Sequence, residues 1–214
     1  EFWFFTYPPG LPVLYSANLL RTWLQRVVAE LDPDGTDAAL RNMVLVGHSQ
    51  GGLVAKLQVV SSGTRFWDDL SDVPLDHLEL QPTTRDRLRE AFFFERAPFV
   101  GSVIFLATPH RGSFLAANWQ GRLATRLTQV PGHLFSLPLD VARAGIGLPG
   151  MAVDLMTGEL DLDEVRVQLA LGRLPSSVES MNPSAAFIRT LAGIRIEPSV
   201  AAHSIIPVRR GPPP

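Results

Sequence analysis

Residues 43–52 read MVLVGHSQGG, four apolar residues followed by a serine with glycines on both sides. We predict a buried strand over residues 43–46, because a short apolar run that ends at a glycine is typical of a strand. The residues that follow, GLVAKLQVV, predict a helix over 53–60. The backbone must then bend sharply at Ser49, which would lift the serine hydroxyl above the end of the sheet.

The neighbours of Ser49 have predicted roles in this bend. We expect glycine at Gly47 and Gly51 because a Cβ atom at either position would collide within the turn. We expect His48 to support the turn as a structural residue. The backbone N–H of Gln50 opens the helix and can donate a hydrogen bond to an oxyanion beside the serine. The alternative is a phosphate-binding turn with an incidental serine, but G-x-G-x-x-G and G-K-[ST] are both absent.

The composition is globular and argues against several function classes. Hydrophobic residues make up 46% and charged residues 19% of the 214 residues, and the net charge of −2 does not favour nucleic-acid binding. There is no cysteine, which excludes disulfides, thiolate metal sites and a cysteine nucleophile. The sequence has no metal-ligand spacing and no membrane-spanning run. We therefore expect no cofactor, no metal and no nucleic-acid partner.

Strands and helices alternate along the rest of the chain. This order predicts an α/β fold with a doubly wound, mostly parallel sheet. The core would comprise residues 1–113 and 181–214, and residues 114–180 would form a helical cap inserted over the sheet, since they are too long for a simple connection. Further strands are predicted at 2–8, 99–109 and 200–208, and further helices at 17–31, 84–94 and 182–191. The first of these helices would begin at Ser16 as N-cap and bury a stripe of Leu20, Trp23, Leu24, Val27, Val28 and Leu31.

Three segments together resemble a bacterial lipase/esterase-like branch of the α/β-hydrolase superfamily: GHSQGGLVAKL from residue 47, FLATPHRGS at 105–113 and HSIIP at 203–207. The resemblance implies a serine ester hydrolase that forms an acyl-enzyme on Ser49 without a cofactor. It implies that Gln50 supplies one oxyanion-hole N–H. It also implies an acid and then a histidine later in the chain, in the order serine, acid, histidine.

The base that would activate Ser49 is harder to find in the sequence. His48 is adjacent to the serine and points elsewhere in a tight turn, and His77 lies in a polar segment that we predict to be exposed. His110 follows a strand at the same sheet edge, where the resemblance implies a role in shaping the pocket. His203 has the right chain order but lies inside a predicted strand. The remaining histidine and the candidate acids fall in the predicted cap: His133, Asp140, Asp154, Asp161 and Asp163.

The preferred explanation is that the acid and the base both lie beyond Pro214. The hydrolase fold has three strands after the serine, whereas this sequence supplies two, and no segment ahead of Phe2 could supply a second oxyanion donor. The resemblance thus predicts a hydrolase domain truncated at both ends. These 214 residues alone should hydrolyse an activated ester poorly, and robust turnover that depends on Ser49 would instead favour His203 as the base.

The substrate is suggested only by the apolar stretch at 133–156, which favours a lipid-like or medium-chain ester over a smaller one if it covers the site. Amide, thioester or acyltransferase chemistry remains open. The competing function is a non-catalytic hydrolase-fold module that binds an apolar ligand or a protein. The sequence does not indicate a compartment or an oligomeric state.

Overall fold

The computed structural model describes residues 1–7, 12–78, 82–113 and 180–207, and these residues form an α/β arrangement. The elements, in chain order, are α1 (Val13–Leu31), β1 (Met43–His48), α2 (Gln50–Lys56), α3 (Arg65–Asp68), a 3-10 helix (Leu75–His77), α4 (Pro82–Phe92), β2 (Val100–Leu106), α5 (Ala186–Gly193) and β3 (Ala201–Ile205). The strands predicted around 43–46, 99–109 and 200–208 and the helices predicted around 17–31, 53–60, 84–94 and 182–191 are confirmed, with shifted ends. The predicted cap at 114–180 lies outside the described residues except for Ser180.

The described strands form one parallel sheet in the order β1, β2, β3. His48 pairs with Leu106, and Leu106 pairs with Ile205, so the three strands end level with one another. In α/β proteins, ligands bind at the carboxyl ends of parallel strands. Ser49 follows β1 immediately and therefore lies at the edge of the sheet where a binding site is expected.

The core lies on the side of the sheet that α2 covers. Val103 and Phe105 of β2 are 0% and 2% exposed, and Leu53 and Val54 of α2 are 0% and 2% exposed. Fully burying an aliphatic or aromatic side chain contributes roughly 2 kcal/mol. This packing fixes α2, and with it the turn at Ser49, against the sheet.

The opposite face of the sheet is exposed. Val44 and Val46 of β1 are 55% and 61% exposed, and every residue of β3 is exposed. Parallel sheets generally carry helices on both faces. Since the described residues cover only one face, the doubly wound arrangement stays a prediction.

The segment before α1 does not form the predicted strand. Residues 1–7 have no regular secondary structure, and Phe2 and Phe4 are 92% and 91% exposed. Phe5 and Tyr7 do pack against the core, with ring centroids 5.4 Å apart. The aromatic composition thus indicated apolar contacts correctly for part of the segment, but the strand prediction is wrong.

Helix α1 begins earlier than predicted. Its N-cap is Pro12, whose φ of −53° already suits a helix start. Ser16 lies within the first turns and is fully buried, so its predicted role as the N-cap is wrong.

The buried face of α1 also differs from the predicted stripe. Arg21 is 6% exposed, because its guanidinium donates to the carbonyl of Leu57 at 3.1 Å and lies 3.9 Å from the ring centroid of Phe94. Trp23 and Leu31, both predicted to be buried, are each 61% exposed. Arg21 is thus buried in the helix interface through a carbonyl hydrogen bond and a cation–π contact. The spacing of apolar residues does not predict this position.

Candidate active site

The turn at Ser49 has the predicted strained geometry. Ser49 separates the last residue of β1 from the first residue of α2 and adopts φ 54° and ψ −124°. Such a conformation is rare for a residue with a side chain and costs on the order of 1–3 kcal/mol. Its backbone N–H donates to the carbonyl of Leu106 at 2.9 Å, which anchors the bend to β2. The structure thus presents a half-buried serine at the carboxyl edge of the sheet.

The glycines around Ser49 differ in what they do. A Cβ atom on Gly47 would lie 2.5 Å from the Cα of Gly52 and 2.6 Å from the carbonyl oxygen of Gly51, so the prediction for Gly47 is confirmed. A Cβ atom on Gly51 would meet nothing within 4 Å. The prediction that Gly51 avoids a collision is wrong, because its Cα faces open space at the start of α2.

Gln50 is the first residue of α2, as the oxyanion role requires. The first N–H groups of a helix have no partner within the helix, so the Gln50 N–H is available beside Ser49. The side-chain Nε2 of Gln50 is buried and has no hydrogen-bond partner among the described residues. A buried donor without an acceptor costs about 1–3 kcal/mol.

A second bend lies beside the first, at the end of β2. Ala107 adopts φ 50°, and its N–H donates to the carbonyl of Ile205 at 2.9 Å. The next residue, Thr108, lies directly against Gly52 of α2: a Cβ atom on that glycine would lie 1.8 Å from the Thr108 Oγ1. The helix therefore packs closely at Gly52, and its partner there is the loop after β2.

Two basic side chains, His110 and Lys56, lie on the covered side of the sheet. The His110 ring meets the Phe105 ring edge-on with centroids 4.5 Å apart. Burial, and secondarily the charge of Lys56, lower the pKa of His110. Lys56 is 6% exposed; its Nζ donates to the carbonyl of Leu191 in α5 at 2.6 Å, and burial lowers its pKa to about 8. Lys56 lies two helical turns, about 10 Å, along α2 from Ser49, and His110 does not hydrogen-bond the serine.

The other histidines that the structure describes do not hydrogen-bond the serine hydroxyl either. His48 ends β1 with an exposed side chain, and its expected role in supporting the turn stays a prediction. His77 is exposed, as predicted. His203 lies within β3, where it pairs with Ile104 of β2 before the carboxyl end of the strand, and its side chain is exposed. Among the described residues, none forms a hydrogen bond with the Ser49 hydroxyl.

Several predicted candidates fall outside the described residues, namely His133, Asp140, Asp154, Asp161 and Asp163. Within the described ranges, no group of His, Asp or Glu side chains could hold a metal ion. No helix in the same ranges combines the length and apolar character that crossing a membrane requires.

A cleft of about 500 Å³ lies elsewhere, between α3, the 3-10 helix and α4. Trp67 and Phe93 line it together with Asp72 and Arg89. It contains none of the residues around Ser49, so it is separate from the candidate active site.

No protein-family model matches the chain, and no curated protein matches it. The functional assignment therefore depends on the geometry at Ser49 and on the motifs that produce it.

Proposed function

We propose that the protein is a serine hydrolase of the α/β-hydrolase type, which cleaves carboxylic esters through an acyl-enzyme on Ser49. The observation that carries this proposal is the backbone of Ser49, with φ 54° and ψ −124° between a parallel strand and a helix. A strained turn of this kind exposes the serine Oγ at the top of the sheet and is the arrangement that an attacking nucleophile requires.

In the proposed reaction, the Ser49 Oγ attacks the ester carbonyl while a base removes its proton. The carbonyl π electrons move to the oxygen, and the Gln50 N–H stabilises the resulting oxyanion. One such donor is typically worth about 3–4 kcal/mol of transition-state stabilisation. The C–O bond then breaks, the alcohol leaves with the proton, and water releases the acid by the same steps.

In this proposal the base and its acid come from outside the described ranges. No described histidine hydrogen-bonds the Ser49 hydroxyl. Of the two candidates, His110 packs against Phe105 and His203 lies within β3. A serine hydroxyl without a base is a weak nucleophile. We therefore propose no triad role for either histidine.

An apolar ester is the proposed substrate. Ile205 and Ile206, at the carboxyl end of β3, are 60% and 74% exposed at the edge that carries Ser49. Apolar side chains around a few polar groups are typical of small-molecule sites. They support an apolar acyl or alcohol group without fixing its length.

The test is hydrolysis of p-nitrophenyl esters of increasing chain length by the full-length protein expressed from its gene. Ser49→Ala should abolish turnover, whereas the matched Ser204→Ala change on exposed β3 should leave it unchanged. Turnover that survives Ser49→Ala would contradict the proposal.

A non-catalytic module that binds an apolar ligand is the second candidate. The observation that favours it is the lack of any described base beside Ser49. It predicts that the full-length protein binds fatty acids or their esters but does not turn esters over, with Ser49→Ala leaving the affinity unchanged.

A further inference from the structure

We propose that Thr108 is a positioning residue that fixes the bend at Ser49, an inference that rests on the proposed function. Thr108 follows β2 and is far from Ser49 in sequence, yet it contacts both sides of the turn. It packs on Gly52 after the serine and reaches the carbonyl of Gly47 before it.

The contact with Gly52 is a tight fit. A Cβ atom on Gly52 would lie 1.8 Å from the Oγ1, 2.6 Å from the Cγ2 and 2.7 Å from the Cβ of Thr108. Real Cβ atoms essentially never approach other atoms this closely, so the threonine occupies the space that a side chain on α2 would need. The first turn of α2 cannot move toward β2 without displacing Thr108.

The hydrogen bond from the Thr108 Oγ1 to the Gly47 carbonyl oxygen is long, at 3.4 Å. A bond of this length is weak. The packing on Gly52 therefore contributes most of the restraint on the bend. The weak hydrogen bond adds a link between the end of β1 and Thr108.

The position of Thr108 depends on the bend before it. Ala107 leaves the strand with φ 50° while its N–H remains bonded to the Ile205 carbonyl. This bend turns the chain toward α2 immediately after the last paired residue of β2. Two strained residues at neighbouring strand ends, Ser49 and Ala107, are thus linked through one threonine.

The consequence is catalytic because Ser49 and the Gln50 N–H belong to adjacent residues at the same bend. The distance between the serine Oγ and the Gln50 N–H decides whether this N–H can donate a hydrogen bond to the oxyanion as it forms. A misplacement of about 1 Å can cost 100-fold in rate. Thr108 touches neither substrate nor the reacting atoms and acts only through the backbone.

The first test compares Thr108→Ala with Thr108→Ser in the full-length protein, with exposed Thr6→Ala as the matched control. Thr108→Ala loses the two atoms nearest to Gly52, Oγ1 and Cγ2, and should lower kcat about 10-fold or more with KM little changed. Thr108→Ser keeps the nearest atom, Oγ1, and should stay within about 3-fold of wild type. All rates are normalised to the titrated concentration of active sites, so that partial unfolding does not count as lost catalysis.

The second test is a size exchange. Gly52→Ala should lower kcat about 100-fold, because its Cβ collides with Thr108. Adding Thr108→Gly to Gly52→Ala removes the collision and should restore at least about 10-fold. If Gly52→Ala does not fold, the comparison of the alanine and serine variants at position 108 decides the matter.

The outcomes separate the inference from the proposed function. Equal normalised kcat for Thr108→Ala and wild type would overturn the inference and leave the hydrolase intact. A size exchange with no recovery over a folded Gly52→Ala would also overturn it. A wild-type protein without Ser49-dependent turnover would remove the proposed function and the inference together.

Discussion

Replacing Ser49 with glycine should stabilise the folded protein, because the serine holds a backbone conformation that its side chain disfavours. The observed φ of 54° and ψ of −124° cost a residue with a Cβ atom about 1–3 kcal/mol, whereas glycine adopts them without strain. Glycine also adds about 0.5–1 kcal/mol of unfolded-state entropy. Subtracting the entropy from the strain leaves a net gain in the free energy of unfolding of about 0–2.5 kcal/mol. The middle of this range, about 1 kcal/mol, corresponds to about 2–4 °C in Tm for a chain of this size.

The assay is urea unfolding of wild type, Ser49→Gly and Ser49→Ala, followed by circular dichroism with a common m-value. Ser49→Ala is the matched control because it removes the hydroxyl but keeps the Cβ atom. It should lie within about 0.5 kcal/mol of wild type, since no described residue hydrogen-bonds that hydroxyl. A Ser49→Gly variant that is no more stable than Ser49→Ala would refute the strained turn.

The remaining predictions concern residues near the same turn. Ala107→Gly should raise the free energy of unfolding by about 0.5–1 kcal/mol in a thermal melt, because φ 50° is strained for alanine; a lower Tm would contradict this. Gly47→Ala should lower the free energy of unfolding by about 1–3 kcal/mol, because its Cβ atom would lie 2.5 Å from the Cα of Gly52. Gly51→Ala should leave it unchanged or raise it by up to about 1 kcal/mol. Equal effects of the two changes in urea titrations would contradict the packing described. Burial lowers the pKa of Lys56 from 10.5 to about 8. Between these pH values the unfolded chain holds more protons than the folded protein, so the free energy of unfolding should rise with pH, by about 3 kcal/mol in all. Lys56→Met should flatten this rise, and identical pH profiles for the two proteins would show that the lysine is not buried as described.

The bend at Ser49 could be predicted because its information is local. An apolar strand, a glycine, the serine and an apolar helix follow one another within residues 43–60, and each limits the backbone of the next. The same reasoning failed at Gly51, since the direction in which a Cβ atom would point depends on the exact path of the turn. It failed again at residues 2–8, where aromatic composition indicates burial but cannot supply a strand partner.

The contacts between distant segments could not be predicted. Thr108 was visible within the motif FLATPHRGS, but nothing local to it indicates that it packs on Gly52. Lys56 stood out as the only lysine among 19 basic residues, yet its burial depends on the carbonyl of Leu191 far along the chain. The burial of Arg21 on α1 could not be predicted for a similar reason. It depends on a hydrogen bond to the Leu57 carbonyl and on a contact with the Phe94 ring, both outside α1.

The most direct test of the central claim is labelling of the full-length protein with a fluorophosphonate probe, followed by mass spectrometry of the proteolytic peptides. We predict a single adduct on the peptide that contains Ser49, formed in proportion to the loss of esterase activity. Complete inactivation with the adduct on another residue, or no adduct in a folded protein, would contradict the assignment of Ser49 as the nucleophile.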